Sequence, residues 1–339
     1  MQKSVNGTIT MSSTYSPPHT LTPRVLALVA DIGEALGHLS GRAGSPTPPF
    51  LRRGNRLRSI QASLAIENNS LTLEQVTAVI AGKRVLGPPK EIQEVRNAFA
   101  AYESMPAWKP WAAKDLLAAH KLLMSGLVDH PGRFRTAGVG IAQGKKIVHL
   151  APPADRVPGL VNQLLNWLNK TDAHPLIANC VFHYELEFIH PFADGNGRMG
   201  RLWQTLILSR WKPLLAWVPV ETVIRERQAE YYAALAASDK AGHSTAFIEF
   251  LLSALLQALH EATATDQVGD QVNDQVKALL KCLAGQPLTA LACMKKLRLA
   301  HRPTFRKNYL QPALEAGLIE RTLPDKPNSS LQKYRLSRK

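Results

Sequence analysis

Cysteine is scarce in this 339-residue chain. Cys180, Cys282 and Cys293 are odd in number, scattered and free of C-x-x-C spacing, which argues against a disulfide framework or a structural zinc site. No apolar run reaches the ~18 residues that argue for a membrane span. Residues 1–20 are polar, with Ser, Thr and Pro but without the apolar stretch of a secretory signal. They read as a flexible tail, and a reducing cytoplasm is the expected location. Alternating strand patterns are few. The G-x-x-x-x-G-K-[ST] spacing is missing as well, so phosphate is not gripped by a Walker loop.

Acidic residues are outnumbered, 26 Asp/Glu against 41 Lys/Arg, for a formal charge of +15. From Asp274 to Lys339 there are fourteen Lys/Arg and four Asp/Glu, so +10 of that charge lies in the last fifth. Such asymmetry points to nucleic acid or an acidic partner.

What the chain does have is helix formers and a 45% hydrophobic content, enough for a sizeable core. Apolar residues recur at helical spacing over 21–39, 57–69, 91–102, 112–124, 157–168 and 175–189. Ser70 reads as the N-cap of a further helix ending near Gly82. His120 reads as a satisfied core histidine, Arg133 and Arg135 as packing or surface, and Glu185 and Glu187 as partners for cations. Residues 226–237 read as one helix carrying Tyr231-Tyr232, and 247–260 as the helix closing the core. Gly132 to Leu150 holds a strand pair turning at Gln143-Gly144-Lys145.

One stretch carries chemistry: His190-Pro191-Phe192-Ala193-Asp194-Gly195-Asn196-Gly197-Arg198-Met199-Gly200-Arg201. An apolar run enters it and another leaves it, so its glycine-rich end opens a helix whose first N–H groups face outward as an anion site. Gly195 and Gly197 let main chain approach a phosphate closely. Arg198 and Arg201, three apart, form a planar clamp for phosphates. Asp194 suits Mg²⁺ shared with phosphate oxygens, and His190 suits a base near neutral pH.

These residues resemble the Fic (Fic/DOC) signature H-P-F-x-[DE]-G-N-G-R-x-x-R, and every specified position matches. The resemblance implies a protein adenylyltransferase, transferring AMP from ATP to Ser, Thr or Tyr hydroxyls of target proteins. By it His190 is the base, Asp194 the Mg²⁺ ligand and Asn196 the α-phosphate contact. Gly195 to Gly197 then form the anion hole, and Arg198 and Arg201 take the outer phosphates. Upstream, Ser63 and Glu67 lie four apart before Asn68, resembling the family's inhibitory [ST]-x-x-x-E-[GN] helix. By that likeness Glu67 pairs with Arg201 in the place of the γ-phosphate. The strand pair becomes a flap that registers the target segment, and Tyr232 borders the adenine pocket.

Beyond the four-residue repeat Asp266-Gln267-Val268, Asp270-Gln271-Val272 and Asp274-Gln275-Val276, three helices and a hairpin read as a winged helix, with Gly317 closing its third helix. The expected fold is therefore mainly α: a Fic-type helical core with a small β-hairpin flap, plus a C-terminal winged-helix domain. The expected divisions are a tail at 1–20, a helical region with the inhibitory helix at 21–110, the catalytic core at 111–262, a linker helix at 263–275 and the winged helix at 276–339. ATP, target proteins, DNA at the C-terminal module and a homodimer are the partners this reading admits, and a membrane is not. Two rivals stay open: a DNA-binding regulator whose core senses nucleotide, and a Fic enzyme that moves another group or removes AMP.

Overall fold

The computed structural model describes residues 15–42, 49–143, 146–315, 318–323, 329 and 331–337. The expected tail at 1–14, the turn glycine Gly144, the helix-ending Gly317 and most of the turn at 324–330 lie outside the described residues. Residues 15–20 are not free tail. Tyr15 donates its hydroxyl to Glu185 (3.0 Å), and Pro18 O accepts from the Ser244 N–H (3.0 Å).

The chain divides into two units, Met1–Leu259 and His260–Lys339. The first unit begins with α1 (Pro23–Arg42), which starts where Thr22 Oγ1 accepts the Val25 N–H and Pro23 needs no donor. Then come α2 (Pro49–Ile66) and α3 (Leu73–Ile80). The cap of α3 is Thr72 rather than Ser70: Thr72 and Gln75 form a reciprocal capping box, while Ser70 gives its N–H and hydroxyl to Glu91. Next are α4 (Pro89–Ser104) and α5 (Ala113–Leu123), followed by the antiparallel hairpin β1 (Gly140–Gln143) and β2 (Lys146–Leu150), bulged between Ile141 and Ala142. Then follow α6 (Val157–Lys170), α7 (Pro175–Ile189), α8 (Asn196–Trp211), α9 (Val220–Glu226) and α10 (Gln228–Ala241).

Two apolar clusters hold this unit together. One gathers Leu64 of α2, Val95 of α4, Leu116 of α5, Phe182 and Leu186 of α7, and Trp203 of α8. The other packs Ile32 of α1 and Ile66 of α2 against Val181, Val223 and Phe247. α7 is buried almost all round, as its apolar composition demands. The central pair α7 and α8 thus sits deep in the core, and the loop joining them emerges as the site.

The helix expected to close the core, α11 (Thr245–Leu283), does not end at His260 but runs on through the Asp-Gln-Val repeat. Its last turns bury Val276, Leu279 and Leu283 in a third cluster. That cluster also contains residues of α12 (Ala290–Lys296), α13 (Arg302–Phe305), the π-helical turn 306–310 and α14 (Gln311–Glu315). An antiparallel sheet of order β3-β5-β4 completes a winged helix, from β3 (Leu288–Thr289), β4 (Ile319–Arg321) and β5 (Lys333–Leu336). The two-residue β3 was not legible in the sequence. No helix among the described residues is long and apolar enough to cross a membrane.

Candidate active site

The loop between α7 and α8 is shaped by two left-handed residues. His190 caps α7 at φ 49°, ψ 61°, and Gly195 precedes α8 at φ 86°. A Cβ on Gly195 would sit 2.6 Å from Met124 Sδ, at the end of α5, and the left-handed backbone there favours glycine in its own right. Asn196 closes the loop into a ring: its Oδ1 accepts the Phe192 N–H and its Nδ2 donates to Phe192 O, both at 2.9 Å. The amide is buried and engaged on the loop.

The Nδ1 of His190 lies 3.3 Å from Glu187 O. A carbonyl only accepts, so Nδ1 carries the proton and Nε2 is the basic nitrogen. That is the tautomer a general base requires.

Arg201, on the second turn of α8, is 1% exposed. Its Nε donates to Ser63 Oγ (3.0 Å), and its Nη2 donates to Ser63 O (3.0 Å) and Glu67 Oε1 (2.7 Å). Burial works against its charge, yet the Glu67 carboxylate, with Tyr231 and Glu187, holds the guanidinium above its ordinary range. Asn68, at φ 67°, turns the chain just after α2, so Glu67 leaves the helix end and reaches the mouth of α8. There its Oε1 stands 2.5 Å from where a Cβ on Gly197 would be. Glycine at 197 is what lets a carboxylate approach this helix N-terminus, where positive partial charge collects. The Glu67 side chain keeps 32% exposure, against 1% for its partner.

Arg198 lies between two acids, donating from Nη2 to Asp194 Oδ1 (2.9 Å) and from Nη1 to Glu94 Oε1 (3.3 Å). Asp194 Oδ1 also accepts the Gly195 N–H at 2.6 Å. Among the described residues no group of three or more His, Cys, Asp or Glu could hold a metal. The Asp194 carboxylate, 49% exposed at the helix mouth, fits a cation that brings phosphate oxygens of its own. Tyr232 is 45% exposed, beside the buried Tyr231.

The roles of Arg135 and His183 were missed from sequence, whereas His120 is the satisfied core histidine expected. Arg135 donates from Nε to His190 O (2.7 Å) and from its Nη groups to Ala137 O, Pro152 O and Ile189 O, while its own N–H reaches Pro191 O. It therefore ties the chain flanking the hairpin to the backbone of His190. His120 donates from Nε2 to Asp194 O (3.0 Å), accepts the Gly132 N–H at Nδ1 (2.8 Å), and lies flat on Phe192 with centroids 3.7 Å apart. Burial lowers its pKa and keeps it neutral for both bonds. His183, pushed down to about 3 by burial, joins Gln204 and the Tyr231 hydroxyl behind Arg201. Glu185 has a hydroxyl partner in Tyr15 instead of the expected cation. None of these contacts follows a spacing rule.

A buried helix pair whose joining loop opens a helix N-terminus, with an imidazole at its rim, has the build expected of a phosphate-handling protein. Comparison with known proteins gives the family. The model of the Fic/DOC family matches residues 110–208, and that of the "Filamentation induced by cAMP protein Fic-like, C-terminal domain" matches 274–337. The chain is 61% identical to a Fic family protein from Desulfovibrio desulfuricans G20 of known crystal structure. That match has a TM-score of 0.72 and covers 96% of this chain and 99% of that one. The chain belongs to the Fic family. It is similar in fold to Fic-1 (aa134 - 508) from C. elegans, at 23% identity and TM-score 0.57 over 73% of this chain and 72% of that one. Among characterised sequences it is 28% identical to "Protein adenylyltransferase Fic" of Aedes aegypti, over 61% of this chain and 42% of that protein. It is 27% identical to "Protein adenylyltransferase fic-1" of Caenorhabditis elegans, over 68% and 47%. The chain thus spans about half the length of the curated relatives it matches.

Proposed function

We propose that this chain is a protein adenylyltransferase held in check by Glu67. The observation that supports this most directly is the carboxylate of Glu67, bound to Arg201 at the mouth of α8 where an anionic phosphate would rest. A negative group in that place competes with substrate and occupies one of two arginine clamps.

In the proposed reaction the N–H groups of 195–197, with Arg198 and Arg201, hold the phosphates of ATP, and Tyr232 borders the base. The β1–β2 hairpin aligns a target segment through its main chain. The oxygen of a Ser, Thr or Tyr hydroxyl bonds to the α-phosphorus. The bond from that phosphorus to the oxygen bridging the β-phosphate breaks, and pyrophosphate leaves. His190 Nε2 takes the hydroxyl proton. Mg²⁺ held by Asp194 and phosphate oxygens would neutralise charge on the leaving group.

The test is labelling with ATP radioactive in its α-phosphate. Glu67→Gly should label itself or added protein roughly tenfold more than the parent. The charge-assisted bonds it removes from the competing pose are worth about 1.5–3 kcal/mol. Adding His190→Ala should abolish that label. Equal labelling of Glu67→Gly and the parent removes the inhibitory role, and absence of nucleotide binding to Glu67→Gly removes the enzyme.

A further inference from the structure

We propose that the C-terminal unit carries a surface for double-stranded DNA, gripped through its phosphates by the exposed cations of α12 and of the helical stretch 302–310. The proposal goes beyond the transferase reading and does not depend on it.

The inward side of this unit is closed by Cys293, Met294, Phe305 and Leu310, all buried. What these helices and the turn between them show outward is Lys295, Lys296, Arg298, Arg302, Arg306 and Lys307, every one exposed. No described side chain offsets them. Within 281–337 the one acid whose side chain is described, Glu320, is already paired with Arg335 at 2.6 Å. A cationic face with no counter-ion among the described side chains suits a polyanion, because each phosphate it neutralises releases a condensed counterion.

The backbone here is also built rather than loose. His301 Nδ1 accepts the Thr304 N–H and holds the start of the stretch, with Pro303 inside its first turn. The segment then widens into a π-helical turn, in which the Gln311 N–H donates to Arg306 O, five residues back. Such turns recur at functional sites, since they re-aim side chains at a cost in helix stability. This one falls on the basic pair Arg306-Lys307.

Other polyanions fit less well. Proteins that hold single strands stack bases on exposed aromatic rings. The aromatics described in this unit are Phe305 and Tyr334, both buried, and Tyr309, half-buried against Phe305. Duplex RNA has a deep, narrow major groove that side chains cannot read, whereas the DNA major groove, ≈ 12 Å wide, admits a helix.

The test is fluorescence anisotropy of a labelled mixed-sequence DNA duplex with the full chain, titrated over a range of salt. Binding in the micromolar range near physiological salt is expected, weakening linearly on a log–log plot. Arg302→Ala/Arg306→Ala/Lys307→Ala should weaken binding and flatten the slope by about one for each cation removed. Lys295→Ala/Lys296→Ala, on a different helix, should flatten it by about two. The control is Lys83→Ala/Arg84→Ala/Lys90→Ala, which removes three exposed charges from the first unit and should leave the slope unchanged. The proposal is overturned by an absence of binding, by an equal loss in the control, or by equal affinity for a single-stranded oligonucleotide. An acidic peptide that displaces the duplex stoichiometrically would reassign the face to a protein partner.

Discussion

Arg135 gives its side-chain hydrogens to main-chain carbonyls at Ala137, Pro152, Ile189 and His190. Holding His190 in a left-handed conformation costs on the order of 1 kcal/mol for a residue with a Cβ, and something must over-determine it. The planar fork of Arg135 does so from one side, and a lysine cannot, having one donor centre in place of three. Arg135→Lys, made in the Glu67→Gly background, should therefore lower kcat roughly 10- to 100-fold by misplacing the imidazole. KM for ATP should hold within about twofold, since the phosphate clamp is built on α8. A purely structural role would move both parameters together, and steady-state labelling kinetics separate the two cases. The same residue shows where sequence reading stops. Ser63, Glu67 and Arg201 were legible through the resemblance to the Fic signature and its inhibitory helix, since the four-residue spacing of Ser63 and Glu67 alone reads as an ordinary amphipathic turn. Arg135 binds carbonyls, which every residue has, so no residue type elsewhere in the chain announces its partner. Asn196 meets the same limit: its amide closes on the Phe192 backbone, and nothing about Asn announces that partner.

At the scale of elements, the question is how α2 keeps Glu67 in place. Glu221 of α9 is buried and accepts three hydroxyls: Ser59 of α2 at 2.7 Å, Tyr102 of α4 at 2.9 Å and Thr205 of α8 at 3.2 Å. Beside them Arg56 of α2 lies over the rings of Tyr102 and Trp217, each 4.7 Å from the centroid. At the far end of α2, Gln228 of α10 donates to Ile66 O (3.0 Å), immediately before Glu67. Glu221→Gln turns one acceptor into a donor that faces other donors, and should destabilise the protein by about 1–3 kcal/mol. Because the loss falls on the anchoring of α2, basal self-labelling should also rise, though less than with Glu67→Gly. A lower melting midpoint with unchanged labelling would show that α2 does not rely on this anchor. The helices themselves were largely legible from their 3.6-residue periodicity, but their breaks were not. Residues 226–237 read as one helix, yet Arg227 interrupts it at φ −106°, ψ 32°. Its guanidinium is drawn to Glu230 and Ser253 and over the Phe250 ring. The contacts with Ser253 and Phe250 are tertiary and override local propensity there, and a window of sequence does not contain them.

For the whole molecule, the apolar clusters predict how it unfolds. The two clusters of the first unit are drawn from residues between Val25 and Leu259, and the third from residues between Val276 and Tyr334. Each unit therefore has its own core, the condition under which a single two-state transition ceases to be the expectation. Calorimetry of the full chain should resolve two transitions, and nucleotide supplies the means of assigning them. A ligand that binds one folded unit stabilises that unit by RT ln(1 + [L]/Kd), about 2.7 kcal/mol at a hundredfold excess over Kd. If the mouth of α8 is the nucleotide site, ATP with Mg²⁺ should raise one transition of Glu67→Gly and leave the other in place. The same addition should shift the parent protein less, because Glu67 already occupies Arg201. Arg201→Ala should abolish the shift in both backgrounds. A single transition displaced as a whole would mean that the units melt together.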